Sequence, residues 1–406
     1  MGASSVVRPL RAVIVLGLVA AGLIGASTVP ASAATCESWG GQPPNAGSSD
    51  NQLEGVAATS ACNAWAVGYY YNGTRNQTLV LHWSGKAWRV QPSQNPGGSG
   101  EDNELWQVAA TSPSNAWAVG YYNNGTANRT LIEHWDGRTW KAQPSPNPGG
   151  SANENQLSGV TATSPTNAWA VGSYYNGTTF QTLVEHWNGK KWHVQPSPSP
   201  VSACAARAGA IMARTTIGLS SVSATSSSNA WAVGVRCGST GGTRTLVEHW
   251  NGKAWKVQRS QNPGDSGKSS GFSGVAATSS GNAWAVGSYV KNSMSLGQTL
   301  VEHWNGTAWK VQPSPNPSGL GNSSGLVDVA ATSPANAWAV GNYGASARQT
   351  DPPLVEQWNG KVWKIEPANF PEGSLFGVAA TSSSDAWAVG SYYNGTSYQN
   401  LILHCC

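Results

Sequence analysis

Residues 157–196 read LSGVTATSPTNAWAVGSYYNGTTFQTLVEHWNGKKWHVQP, and this stretch decides the fold. It contains four short extended segments: LSGVTATS from Leu157, NAWAVGSYY from Asn167, QTLVEHW from Gln181 and KWHVQP from Lys191. Each is rich in β-branched or aromatic residues and bounded by Gly, Asn, Ser or Pro, which is the pattern of consecutive antiparallel strands. Asn188-Gly189 separates the third segment from the fourth and Asn176-Gly177 the second from the third. Asn-Gly between such segments predicts two-residue hairpins, because a type I′ turn needs positive φ at both central residues.

The same unit recurs along the chain. AWAVG occurs seven times, with its Trp at 65, 117, 169, 231, 284, 338 and 387, at spacings of 52, 52, 62, 53, 54 and 49 residues. The turn before the fourth segment recurs as Ser84-Gly85, Asp136-Gly137, Asn251-Gly252, Asn305-Gly306 and Asn359-Gly360. Repeats of four strands at this period predict an all-β, seven-bladed β-propeller with four-stranded blades. Composition agrees: 48 Gly, 23 Pro and 21 Trp with only 10% charged residues exclude a helical bundle, and the aromatic content argues against disorder.

Both ends of the chain carry information. Residues 1–33 have the parts of a secretory signal: Arg8 and Arg11, an apolar run from Ala12 to Ile24, and Ala31-Ser32-Ala33 as a cleavage site. The expected product is a secreted, monomeric protein that is not membrane-bound after cleavage. Residues 34–406 form one domain, with 34–52 as closing strand and first connection and 53–406 as seven repeats. The formal charge is +4, two units of which are Arg8 and Arg11, so no basic field remains to favour nucleic acid. Blade 7 stops at LILHCC without a fourth strand, while Trp39, Gln42 and Pro43 align with Trp88, Gln91 and Pro92 of a fourth strand. Residues 36–43 are therefore expected to complete blade 7 and close the ring, removing exposed sheet edges.

Six cysteines in an exported chain imply three disulfides. Alternate turns lie on opposite propeller faces, which predicts Cys204–Cys237 on one face. On the other, Cys36 pairs with one of Cys405 and Cys406, and Cys62 with the other. No cluster of Cys and His has ligand spacing, so no metal and no cofactor are expected.

Most recurring polar and aromatic residues read as framework. His82, His134, His186, His249, His303 and His404 share one motif position beside Glu133, Glu185, Glu248, Glu302 and Glu356, but a propeller spreads equivalent positions around a ring. They are expected to meet partners between blades. Of the 21 Trp, only Trp106 lies outside the repeat pattern. The motif W-[DNS]-G-x-x-W, with Asp136, Gly137, Thr139 and Trp140 as the closest match, resembles the Asp-box hairpin of bacterial neuraminidase-type propellers. In those families the hairpin is peripheral and structural, so the resemblance implies no catalysis. The AWAVG and HWNG repetition is similar to secreted repeat proteins of actinobacteria.

Function is expected where the repeats differ. In the first strands the exceptions are Glu54, Trp106 with Gln107, Asp328 and Phe376, all predicted at one channel mouth. Around it are expected Tyr70, Tyr71, Tyr122, Tyr174, Tyr175, Tyr392 and Tyr393, with Arg207, Arg214, Lys291 and Arg348 from the longer connections. Aromatic faces with neighbouring amides and carboxylates suit sugars, whose C–H faces pack on rings while hydroxyls take hydrogen bonds. The expectation is a binding protein for extracellular or cell-wall carbohydrate, with Trp106, Gln107, Phe376, Tyr70, Tyr122, Tyr175, Tyr393 and Arg207 as contacts. The alternatives are a glycoside hydrolase or lyase using Glu54 and Asp328, and a scaffold or adhesin for another secreted protein. No nucleophile elbow, phosphate loop or dinucleotide fingerprint is present.

Overall fold

Blade 1 consists of strands β1 (Asn51–Ser60), β2 (Asn63–Tyr71), β3 (Asn76–Trp83) and β4 (Trp88–Gln91), paired antiparallel in that order. The pattern repeats in blades 2 to 6, at 103–142, 155–194, 218–257, 270–311 and 323–365, and with three strands in blade 7, at 374–405. The computed structural model describes residues 42–200, 218–238, 242–265, 267–292, 296–317, 323–344, 352–368, 370 and 372–405; among these there is no helix. The first strands touch in the cyclic order of the blades, the last against the first, so the seven sheets form a β-propeller around a central channel.

The AWAVG strand builds the contacts between blades. In blade 1, Ala64, Ala66, Trp65 and Val67 are all fully buried. Trp65 packs on the next blade, with its ring 4.8 Å from Trp135 and edge-on to Trp140 at 5.1 Å. The same trio recurs around Trp117, Trp169, Trp231 and Trp284, and Trp387 meets Trp83 and Trp88 of blade 1. Small residues on one face and indoles on the other let each sheet accept its neighbour's ring. Burying an indole of ~200 Å² is worth roughly 5 kcal/mol.

The histidines correct the expectation of partners between blades. His82 stacks on Trp65 at 4.1 Å and its Nε2 pairs with Asn63 Oδ1 of the same blade at 2.8 Å. Asn63 Nδ2 in turn donates to Thr59 Oγ1. Cross-strand register causes this: His82 lies directly opposite Trp65, one pleat from Asn63. His134, His186, His249 and His303 repeat the pairing, and His404 uses Asp385.

The two-residue hairpins also need correction. Trp135 pairs with Trp140, leaving a four-residue turn in which Asp136 Oδ1 accepts the N–H groups of Arg138 and Thr139 and Gly137 takes φ of 90°. The side chain of the first turn residue caps two amides, which lengthens the loop beyond a type I′ turn. Asn188, Asn251, Asn305 and Asn359 do the same.

The third-strand glutamates do span blades. Glu133, Glu185, Glu248, Glu302 and Glu356 are fully buried and accept hydrogen bonds from the connection leaving the preceding blade: Gln94 N, Ser145 Oγ, Ser197 Oγ, Gln261 N and Ser314 Oγ. Burial pushes the first four carboxyls up to about 8 and Glu356 to about 7, only partly offset by those donors. The unfolded chain releases these protons near pH 4.5 while the folded chain keeps them, so stability falls as pH rises from about 4.5 to 8. Burial lowers His82, His134, His186, His249 and His303 below 6.5, so their contribution is lost as pH falls below 6.5. The two sets oppose each other below pH 6.5, and above it the glutamates act alone. Calorimetry should therefore find maximal Tm near pH 6 and a decline towards pH 8.5. Glu185→Gln should flatten part of that decline, and a Tm rising steadily from pH 6.5 to 8.5 would contradict the assignment.

Cys62 sits in the turn between the first two strands of blade 1, beside Gly85, whereas Cys237 is buried at the far end of the second strand of blade 4. They lie at opposite ends of their sheets. Cys405 ends the third strand of blade 7. Cys36, Cys204 and Cys406 lie outside the described residues, as do the leader and most of the expected closing strand. At the start of the described chain, Asn45 Oδ1 accepts Asn400 N at 3.2 Å. Asn95, Asn147, Asn262 and Asn316 make the same bond to the third strands of blades 1, 2, 4 and 5.

Candidate ligand site in the central channel

The first strands break the two-residue period at one place in every blade. Leu53 and Val56 are three residues apart, yet both are buried in the same cluster. Strict alternation would put them on opposite faces, so an extra residue must be accommodated as a β-bulge. The register shifts accordingly between Leu53 and Gly55, Leu105 and Gln107, Leu157 and Gly159, Leu219 and Ser221, Phe272 and Gly274, Leu326 and Asp328, and Leu375 and Gly377. The seven bulged residues, Glu54, Trp106, Ser158, Ser220, Ser273, Val327 and Phe376, all line a single cavity of about 330 Å³ at the centre of the propeller.

Beside this ring, the next residues alternate in size around the channel: Gly55, Gln107, Gly159, Ser221, Gly274, Asp328 and Gly377. The spacing of the strands demands it. A Cβ on Gly55 would lie 2.8 Å from Gln107 Cα, one on Gly159 2.9 Å from Ser221 Cα, and one on Gly274 2.8 Å from Asp328 Cα. Seven is odd, so two glycines meet where blade 7 abuts blade 1, and a Cβ on Gly377 would lie 2.9 Å from Gly55 Cα. Gln107 and Asp328 stand near each other, and Gln107 favours the charged form of the Asp328 carboxyl.

Asp328 is therefore a strut. It is 8% exposed and accepts Val329 N at 2.9 Å and Val378 N of blade 7 at 3.0 Å. Burial raises its carboxyl to about 7 against the pull of these donors and Gln107. Glu54, half-buried, accepts Gln52 Nε2 at 2.6 Å. Trp106 is held at two points: its Nε1 donates to Glu104 Oε2 at 2.9 Å, and its ring meets Tyr121 edge-on at 5.2 Å. Burial and the neighbouring Glu104 hold the Tyr121 hydroxyl well above the usual phenol range. Two fixed partners preorganise the indole, so little rotamer freedom remains to be lost on binding.

The cavity brings together Glu54, Trp106, Gln107, Asp328 and Phe376, the first-strand exceptions. It does not include the tyrosines. Tyr70, Tyr122 and Tyr392 pack against interblade clusters, Tyr175 lies against Phe180, and Tyr393, 40% exposed, lies against Tyr398. Arg207, Arg214 and Arg348 fall outside the described residues. Val327 and the three bulge serines are further wall residues, and the apolar pair at i and i+3 in each first strand is the sequence signal that marks all seven positions. Among the described residues no group of three or more His, Cys, Asp or Glu is placed to hold a metal.

No protein-family model matches the chain, and no curated protein matches it. Among solved structures it is similar to YCF48 from Cyanidioschyzon merolae, at 16% identity and a TM-score of 0.50, covering 90% of this chain and 98% of that one. It is also similar to the GH74 xyloglucanase from Xanthomonas campestris, at 14% identity and a TM-score of 0.54, covering 87% of this chain. The match spans 54% of the xyloglucanase, about half its length. Both likenesses are of fold, and together with the sheet order they show a seven-bladed β-propeller.

Proposed function

We propose that the protein is a secreted binding protein that recognises extracellular or cell-wall carbohydrate at the central cavity. The observation that carries this reading is the convergence of symmetry-breaking first-strand residues on one wall, where Trp106 and Phe376 stand beside Glu54, Gln107 and serine hydroxyls. Two aromatic side chains supply apolar faces for sugar C–H groups, and the polar groups supply donors and acceptors for hydroxyls. The cavity is one pocket built from all seven blades, which favours a single site over equivalent interblade sites. The xyloglucanase uses the same architecture, although a fold alone assigns no ligand. Binding is favoured over glycoside cleavage because Asp328 is engaged by two backbone amides and Gln107. Export through the leader at 1–33 is consistent with Cys62 and Cys237 being half-cystines.

A glycan array followed by calorimetry tests the reading. Trp106→Ala should weaken the best ligand by roughly tenfold or more, as expected for a central aromatic anchor, while Tyr70→Ala, at a residue packed between blades, should leave affinity unchanged. Saturable binding indifferent to Trp106 would move the site elsewhere, and turnover of a polysaccharide lost in Glu54→Gln would make the protein an enzyme.

A further inference from the structure

Blade 4 departs from the repeat by exchanging two framework residues for arginine. Five residues after the AWAVG tryptophan the six other blades carry tyrosine, at Tyr70, Tyr122, Tyr174, Tyr289, Tyr343 and Tyr392, whereas blade 4 carries Arg236. Where the chain leaves the fourth strand, proline recurs as Pro43, Pro92, Pro144, Pro196, Pro313 and Pro367, and blade 4 has Arg259 instead. Neither exchange serves the fold. Tyr70, Tyr122 and Tyr392 pack against interblade clusters, and proline fixes φ where the connection begins. Yet both arginines line one groove of about 840 Å³ at the outer edge between blades 4 and 5, together with Lys310 of the fourth strand of blade 5. Arg89, Lys141, Lys256 and Lys364 occupy the Lys310 position in other blades, so the arginine pair is what sets this groove apart.

The groove suits an anion. Arg259 and Lys310 are exposed, Arg236 is half-buried, and among the described residues lining the groove there is no Asp or Glu. Glu248 and Glu302, on the third strands of the same two blades, are pushed up to about 8 by burial and are mostly neutral at pH 7, so they do not cancel the three cations. Asn262 Oδ1 accepts Thr245 N at 3.0 Å and Gln261 Oε1 accepts Val311 N at 2.7 Å, which leaves the amide N–H groups of both groove side chains as donors. Trp304, half-buried, adds an aromatic face. Guanidinium forks match the paired oxygens of a carboxylate or phosphate, amide N–H groups serve hydroxyls, and an indole packs on sugar C–H groups. We propose that this groove is a second binding site, separate from the central cavity, that takes an anionic saccharide, with Arg236, Arg259 and Lys310 receiving its oxyanion and Trp304 its C–H face.

Calorimetry at low salt with three α-1,4-linked trimers of equal length tests this: galacturonate, galactose 6-phosphate and galactose. An anionic trimer should bind about tenfold or more tighter than the neutral one, the effect of a charge-assisted hydrogen bond or two, and the trimer that binds identifies the oxyanion. The preference should shrink with added salt. The double variant Arg236→Tyr and Arg259→Pro, which restores the residues of the other blades, should lose the preference with Tm unchanged or raised. Lys310→Gln, at an exposed side chain, should weaken the anionic trimer several-fold without lowering Tm, and Trp106→Ala in the central cavity should leave the preference intact. Equal affinities for the three trimers, a preference that survives the double variant, or one lost in Trp106→Ala would overturn the proposal. Failure of the groove leaves the carbohydrate reading of the cavity to its own test, Trp106-dependent binding.

Discussion

Gly68→Ala is expected to destabilise the protein by at least about 3 kcal/mol, the range of severe overpacking, although the change adds one methyl group. A Cβ at Gly68 would overlap the carbonyl oxygen of Gln52 and lie 2.8 Å from Leu53 Cα. Both are backbone atoms of the neighbouring strand, so no rotamer change can relieve the clash. The bulge at Glu54 is the cause: Leu53 pairs with Gly68 and Gly55 with Val67, and the extra residue between them turns the first strand against the second. The last residue of AWAVG faces the same obstruction in every blade, from Gln156 O at Gly172 to Ser374 O at Gly390. Gly73→Ala is the control. Gly73 has φ of +95° with nothing within 4 Å of an added Cβ, so its cost is backbone strain of about 1–2 kcal/mol. Urea denaturation of the two variants compares them directly, and a Gly68→Ala midpoint no lower than that of Gly73→Ala would refute the steric account.

The bulge also marks how far the sequence could be read. Repeat period, strand boundaries near AWAVG and the convergence of Glu54, Trp106 and Phe376 were legible because each rests on local pattern: turn residues, alternation, and departure from the blade consensus. The histidine partners were not, because they depend on cross-strand register, which places His82 over Trp65 and beside Asn63. The tyrosines misled for a related reason. Tyr70 and Tyr122 end second strands, where alternation turns them towards the interblade core and not the channel. Asp328 was legible as an exception but not as a strut. That role follows from the odd number of blades, which leaves Gly55 and Gly377 side by side and lets Gln107 and Asp328 meet across the space.

Trp39→Ala, outside the described residues, is expected to cost about 3–5 kcal/mol, the range for a buried Trp, if residues 36–43 supply the outer strand of blade 7. The described chain from Gln42 follows blade 7 with the same contacts that connections make elsewhere. Tyr392 OH donates to Gln42 Oε1 at 3.1 Å, and Asn400 Nδ2 donates to Pro44 O at 2.8 Å. Gln42 and Pro43 border the apolar surface formed by Trp338, Trp387, Leu401 and Leu403. Further on, Tyr398 N donates to Asp50 Oδ1 at 2.8 Å, as Asn76 N does to Asp102 Oδ1 between blades 1 and 2. Asn45 bonds to Asn400 as its counterparts do in four other blades, and in the sequence alignment Trp39 corresponds to Trp88 of blade 1, which packs against the AWAVG indole of the preceding blade. Trp88→Ala in a complete blade sets the scale, and the two variants should lose similar Tm. A bridge from Cys36 to Cys405 or Cys406 would lock this closure covalently, adding on the order of 5 kcal/mol by chain entropy for so long a loop, so reduction should lower Tm in the wild type. Peptide mapping without reductant should recover Cys204–Cys237 and join Cys36 and Cys62 to the C-terminal pair. A Cys62–Cys204 peptide, or a Trp39→Ala variant as stable as the wild type, would show that the ring closes some other way.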